Sequence, residues 1–227
     1  MIRAFRILAV TLLSASATTA FAQEAKSLFD GKTLDGWKGD PAVWSVKDGA
    51  LTASLSDKQL KYNTFLIWQG GDVADFELTC KYKMVGNNSG IQYRSKVIDA
   101  EKFILGGYQA DIDASLKFSG INYEEKGRGI LAQRGQRVTI AADGKPTVEA
   151  IGDAAELGKK IKQEDWNDYR IVAKGNVLQH YINGVLMSEV IDNETDKAAT
   201  KGVLGLQAHQ GPPMTIQFKD LMLKDLK

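Results

Sequence analysis

The sequence predicts an all-β protein, a sandwich of two antiparallel sheets of jelly-roll type. Three observations carry this. Apolar and polar residues alternate with a period of two in segment after segment, as in Phe76-Glu-Leu-Thr-Cys-Lys-Tyr-Lys-Met84. Turn-forming pairs, Asp48-Gly49, Asp143-Gly144 and Asn183-Gly184, separate short apolar runs at hairpin spacing. Helical periodicity is scarce, and no strand–helix–strand spacing of the parallel-sheet kind is present.

The chain has 227 residues and a formal net charge of +1. Its first segment reads as a secretory signal: Arg3 and Arg6, an apolar run Ile7 to Leu13, and an Ala20-Phe21-Ala22 cleavage site. That run is shorter than the roughly 20 residues a bilayer span needs. Residues 1–22 are therefore set aside as a signal peptide, and 23–227 as one β-sandwich domain, exported to the periplasm or secreted. Without Arg3 and Arg6 the 29 basic residues become 27, against 28 acidic ones. Such a balance offers no electrostatic footprint for nucleic acid or an anionic membrane. No segment predicts membrane insertion, and oligomeric state is not legible. The single cysteine, Cys80, has no partner for an internal disulfide, so stability rests on the core.

Along the chain, "WSVKDGALTA" reads as a hairpin about Asp48-Gly49, and "AADGKPTVEAIG" as a second about Asp143-Gly144. "AAELGKKIKQEDW" (Ala154 to Trp166) is the best helical signal, a turn of helix or a polar loop. "YRIVAKGNVLQHYINGVLMSEVID" reads as three strands turning at Gly175-Asn176 and Asn183-Gly184. Near the end, Gly211-Pro212-Pro213 separates "GVLGLQAH" from "MTIQFKDLMLKDL", since proline cannot donate to a ladder.

Three strands carry unusual polar faces. In "SGIQYRS" Gln92 and Arg94 oppose Ile91 and Tyr93. In "GGYQADID" Gln109, Asp111 and Asp113 oppose Tyr108, Ala110 and Ile112. In "GLQAHQ" Gln207 and His209 oppose Leu206 and Ala208. If the three share a sheet, one face gathers amides, carboxylates, a guanidinium and an imidazole. Such groups make directed hydrogen bonds to sugar hydroxyls or carbonyls. Plainer readings stand beside this one. His209 bonds the neighbouring turn; Arg94 pairs with Asp111 or Asp113; Tyr123 to Gly129 is a charged turn; His180 and the four tryptophans are structural; Cys80 is buried and inert. Asp111-x-Asp113 also offers oxygen ligands to a divalent metal. No nucleophile elbow, zinc-protease helix, dinucleotide fingerprint or P-loop is present.

Taken in order, "SLFDGKTLDGWKG", "WSVKDGAL", "NNSGIQYRS", "GGYQADID", "DWNDYRIVAKGNVLQHYINGV" and "KGVLGLQAHQGPPMTIQFKDLMLKDL" resemble the 3-keto-disaccharide hydrolase domain family. The resemblance implies a concanavalin A-like jelly roll. It also implies glycosides, an oxidised disaccharide or glucoside, whose glucose carries a ketone at C3. A ketone there acidifies the C2 proton, so a base, an enolate stabiliser and an acid for the leaving oxygen suffice for β-elimination and hydration. The paired carboxylates of ordinary glycosidases are not needed. On this reading His209 is base or acid, histidine's unperturbed pKa being about 6.5. Asp111 orients it or is itself the base, Arg94 or a divalent metal stabilises the enolate, and Glu124 or Glu125 protonates the leaving oxygen. Gln92, Gln109, Asp113, Tyr123 and Gln207 contact the sugar. The alternative is a non-catalytic carbohydrate-binding module on the same fold.

Overall fold

The computed structural model describes residues 24–55 and 59–226. The predicted signal segment lies outside them. In chain order the strands are β1 (Lys26–Ser27), β2 (Trp37–Lys38), β3 (Trp44–Lys47), β4 (Ala50–Ser54), β5 (Thr64–Trp68), β6 (Phe76–Val85), β7 (Asn88–Asp99) and β8 (Ile104–Asp113). There follow β9 (Asn122–Glu125), β10 (Gly129–Ala132), β11 (Gln136–Ile140), β12 (Pro146–Ala150), the helix α1 (Ala154–Gly158), β13 (Asn167–Lys174), β14 (Val177–Ile182), β15 (Val185–Asp192), β16 (Val203–Ala208) and β17 (Thr215–Asp225).

Two sheets face each other. The larger runs β12-β11-β15-β14-β13-β6-β17-β4-β3, with β1 also pairing β17. The smaller runs β10-β9-β8-β7-β16-β5-β2. The predicted jelly-roll sandwich is thus the observed architecture, with one departure: β11 pairs β15 in parallel. The Asp48-Gly49 turn has φ of 52° and 72°, and Asn183-Gly184 has 50° and 79°. Positive φ at both central residues is what a two-residue hairpin matching the strand twist requires. The helical signal yields one short turn, opened by Asp153, whose carboxylate accepts from the N–H groups of Ala155 and Glu156.

The core lies between the sheets. From β6 come Phe76, Leu78, Cys80, Tyr82 and Met84, all buried, while the residues between them are half-exposed. From the smaller sheet come Leu66, Ile91, Tyr93, Tyr108, Ala110, Ile112, Leu206 and Ala208. His180 is buried here, with Nε2 2.9 Å from the Tyr93 hydroxyl and Nδ1 3.1 Å from the Ile121 carbonyl oxygen. Burial lowers its pKa to about 4. Burial pushes the Cys80 thiol up to about 12, so it stays protonated and inert. Trp37, Trp44 and Trp68 are buried, whereas half-buried Trp166 lies under Lys83 and Lys219 on the outside of the larger sheet.

Because the core takes one face of β5, β7, β8 and β16, the opposite face of the smaller sheet points outward. Part of it is covered by Phe65, Ile67 and Leu105, against which Phe103 packs. The rest is open and polar.

Candidate functional site

Strands β8, β7 and β16 are neighbours, as the polar-face reading requires. Gln92 pairs with Gln109 on one side and with Gly205 on the other. Gly90 pairs with Asp111. Over their outer face lies a cleft of about 790 Å³. Of the predicted residues, Gln109, Asp111, Asp113, Tyr123, Gln207 and His209 line it.

Asp111 is the centre of the floor. Its Oδ1 accepts from Asn88 Nδ2 at 3.0 Å, the Ile112 N–H at 3.1 Å and Gln109 Nε2 at 3.4 Å. Its Oδ2 has no partner among the described residues. Burial raises the carboxyl to a pKa of about 8; three donors oppose that shift, and the neighbouring Asp113 charge adds to it. Desolvation wins, so Asp111 is a protonated acid at neutral pH. Three donors occupy Oδ1, so the proton belongs on Oδ2.

The amides around it have a fixed sense. Gln109 turns its NH₂ to Asp111, so its Oε1 faces Gln92 Nε2 at 3.1 Å and Gln207 Nε2 at 3.2 Å. Gln207 is thereby committed as a donor, and its Oε1 is left buried without a partner. Gln92 does not reach the cleft. It lies fully buried beneath Gln109 and accepts from Ser95 Oγ at 2.5 Å, so it supports the floor rather than reading a substrate.

His209 stands at the rim, just beyond the end of β16. Its Nδ1 lies 2.5 Å from the Gln210 carbonyl oxygen, which in the neutral ring places the proton on Nδ1 and the lone pair on Nε2. Nε2 has no partner among the described residues. The loop bearing it is tied down twice. Asn87 Nδ2 donates to the carbonyls of Gln210 and Pro212, at 3.2 and 2.9 Å. The Gln210 N–H donates to Asn63 Oδ1 at 3.0 Å. Asn63 Nδ2 donates in turn to Glu125 Oε1 at 3.2 Å, and both Asn63 and Glu125 line the cleft. The plain reading of His209, a bond to its neighbouring turn, therefore holds together with a place in the cleft.

Three further expectations are corrected. Arg94 does not face the cleft. The ladder breaks between Tyr93 and Lys96, and Arg94 takes φ 47°, so strict alternation stops there. Its guanidinium is buried, donating to the Ala74, Gly175 and Ala199 carbonyls and to Asp75 Oδ1 at 2.9 Å. It pairs with neither Asp111 nor Asp113.

Glu124 also faces away. On β9 the cleft takes Tyr123 and Glu125, which leaves Glu124 on the opposite side. There Arg128 Nε donates to Glu124 Oε2 at 2.6 Å, and the other guanidinium nitrogens donate to Asp192 and Glu194. Of the two glutamates considered, Glu125 is the one in the cleft.

Asp113 lines the cleft but is already engaged. Its Oδ2 accepts from Ser115 Oγ at 2.6 Å and the Phe118 N–H at 3.1 Å, which folds the loop that brings Phe118 to the wall. Asp111 and Asp113 thus do not form a free carboxylate pair. Among the described residues no cluster of three or more His, Cys, Asp or Glu is placed to hold a metal ion.

Missed in the sequence were Asn63 and Asn88, and the role of Gly90. A Cβ at Gly90 would stand 2.6 Å from the Gln109 side chain, which lies across it.

Residues 24–224 match the 3-keto-alpha-glucoside-1,2-lyase-like domain. Among solved structures, the chain is similar to a Parabacteroides distasonis protein provisionally assigned as a glycosyl hydrolase. The two share 23% identity over 89% of this chain and 100% of that one, with a TM-score of 0.57. It is also similar to the carbohydrate-binding module CBM66 of Bacillus subtilis, at 14% identity over 84% of this chain and 96% of that one, TM-score 0.54. A Bacillus subtilis protein of unknown function with a galectin-like fold gives 11% identity over 85% and 90%, TM-score 0.57. At these identities the likeness is one of fold. No curated protein matches the chain.

Proposed function

The chain belongs to the 3-keto-alpha-glucoside-1,2-lyase-like domain family, and on that premise we propose that it cleaves glycosides whose glucose unit carries a ketone at C3. The observation that carries the reading is the presence, in one cleft, of an imidazole and a buried carboxyl that each keep one atom free of protein partners among the described residues. His209 offers its unpartnered Nε2, and Asp111, whose pKa burial raises to about 8, offers a proton at Oδ2. Elimination needs one group of each kind.

In this mechanism His209 Nε2 takes the proton from C2, which the adjacent ketone acidifies. The electron pair left on C2 is shared with the C3 oxygen as an enolate. It then forms the C1–C2 double bond while the C1–O bond breaks, and Asp111 gives its proton to the departing oxygen. For hydration the charges run in reverse. Asp111 takes a proton from water, hydroxide adds to C1 of the enone, and His209 returns a proton to C2. The product is 3-keto-glucose, and both residues regain their starting states. Gln109, Gln207, Tyr123 and Asn88 surround the sugar with directed donors and acceptors. The signal segment adds an exported setting, periplasmic or secreted, to this proposal.

The test is incubation of the mature protein with a 3-keto-disaccharide and with its unoxidised parent in deuterated water. Cleavage of the keto sugar alone, with solvent deuterium at C2, is expected. Cleavage of the parent would mean ordinary glycoside hydrolysis. Binding without cleavage would mean a carbohydrate-binding module.

A further inference from the structure

Beyond the rim of the cleft lies a second groove of about 550 Å³, and Ile130 borders both. The two differ in chemistry. The cleft floor presents amides and acids. The second groove is walled by Leu131, Val138, Ile140 and Val148, with the amides of Gln133 and Gln136 beside them. Val148, on edge strand β12, is 56% exposed, and Ile130 is 42% exposed. They are two of six large apolar side chains left exposed among the described residues, and both face this one groove. Ligand sites combine apolar walls with a few placed polar groups, as these two adjoining grooves do.

The charged groups at this groove are already neutralised. Arg128 is held by Glu124, Asp192 and Glu194. Lys197 pairs with Glu194 at 3.0 Å and Asp143 with Lys145 at 2.6 Å. Apart from the Gln133 and Gln136 amides, a second sugar ring would find few unengaged hydrogen-bonding groups here, and most of its hydroxyls would be desolvated without replacement. An uncharged apolar group gives up no hydrogen bonds of its own by entering and buries Ile130 and Val148.

Resting on the keto-glucoside reading, we propose that this groove is the leaving-group subsite. It takes an apolar alkyl or aryl aglycone, so the preferred substrates are 3-keto-glucosides of hydrophobic alcohols rather than disaccharides. The cleft holds the oxidised glucose, and the bond to be broken lies near the Ile130 boundary.

The test compares octyl and methyl 3-keto-glucosides, whose leaving alcohols have similar acidity, so that a difference reports binding. The octyl compound is expected to have at least a tenfold higher kcat/KM, the effect of burying about two methylenes. Val148→Asp and Ile130→Ser are each expected to bring that ratio close to one. A ratio within one preparation is unaffected by loss of folded protein. Turnover of both sugars with equal kcat/KM overturns the subsite alone. So does an octyl preference that survives both substitutions. Concentration-dependent dimerisation abolished by Val148→Asp, with no octyl preference, assigns the face to a second copy and also overturns it. No turnover of either sugar overturns the keto-glucoside reading itself, and this proposal with it.

Discussion

Gln109 lies across Gly90, close enough that a Cβ on residue 90 would stand 2.6 Å from its carboxamide carbon. The same amide donates to Asp111 Oδ1 and accepts from Gln92 and Gln207. The missing side chain at position 90 is therefore what lets the floor network close.

Gly90→Ala is expected to displace the Gln109 amide and reduce kcat on a 3-keto-glucoside by roughly tenfold, since such sites tolerate displacements of only about 0.5 Å. Displacing the amide also unpairs the buried Gln92 and Gln207 donors, so thermal stability should fall with it. Calorimetry and steady-state kinetics on one preparation check both halves. Unchanged kcat would show that the Gln109 position is immaterial.

His209→Ala removes the proposed base at a half-buried rim position. Turnover should fall by about 10² to 10⁴, the usual worth of a positioned general base, with an unaltered melting temperature. Deuterium exchange at C2 should fall in parallel. Exchange that persists while cleavage is lost would move His209 to a later step.

Asn63 acts through other residues: it ties the His209 loop to Glu125. Asn63→Ala should lower kcat more than it raises KM, because it loosens the base rather than removing a sugar contact. Asn63→Asp keeps an acceptor for the Gln210 N–H but sets a second carboxylate against Glu125. Its activity relative to the wild type at the same pH should therefore rise toward acidic pH. An effect confined to KM, equal in both variants, would place Asn63 on the substrate instead.

Asp111 and His180 give stability opposite pH dependences. Asp111 holds a proton in the folded state up to about pH 8 that the unfolded chain releases near the ordinary value of 3.8. Its contribution is complete below that value and is lost as pH rises through 8. His180 resists protonation down to about 4, where the unfolded chain accepts a proton below 6.5. Its contribution is complete above 6.5 and is lost as pH falls through 4. The two oppose each other between 4 and 6.5, and only Asp111 acts above. Wild-type stability should then fall from pH 6.5 to 8 by about 2 kcal/mol, at about 1.36 kcal/mol per pH unit. Asp111→Asn should be flat across that range, as denaturant melts will reveal.

Arg94→Met should cost about 3–5 kcal/mol, because it leaves Asp75 and three backbone carbonyls without their buried donor. Arg94→Lys should not restore the loss, since one ammonium cannot span that fork. The protein that still folds should keep a normal KM. A raised KM at full stability would return Arg94 to the site.

Alternation made much of the site legible. Gln109, Asp111 and Gln207 were placed by a period of two on strands that prove adjacent. The same rule failed at Arg94 because a bulge ended the period one residue earlier, and nothing in "IQYRS" announces that bulge. Glu124 was a choice between neighbours, and strict alternation from Tyr123 favours Glu125. Asn63 precedes β5, far in sequence from His209 and Glu125, so its bridge exists only after the sheets form. Burial decided the protonation of Asp111, and burial is a property of the packed sheet.

The last described strand, β17, is not at an edge. It lies between β6 and β4 and also pairs β1. During synthesis the first strands and the middle of the chain must therefore wait for the C-terminal segment before the larger sheet can close. Such long-range closure slows folding. A nascent or truncated chain lacking β17 would present two unpaired sheet edges. The larger sheet thus closes only once β17 has been made, and termination anywhere before β17 should yield an aggregating chain rather than a smaller working one.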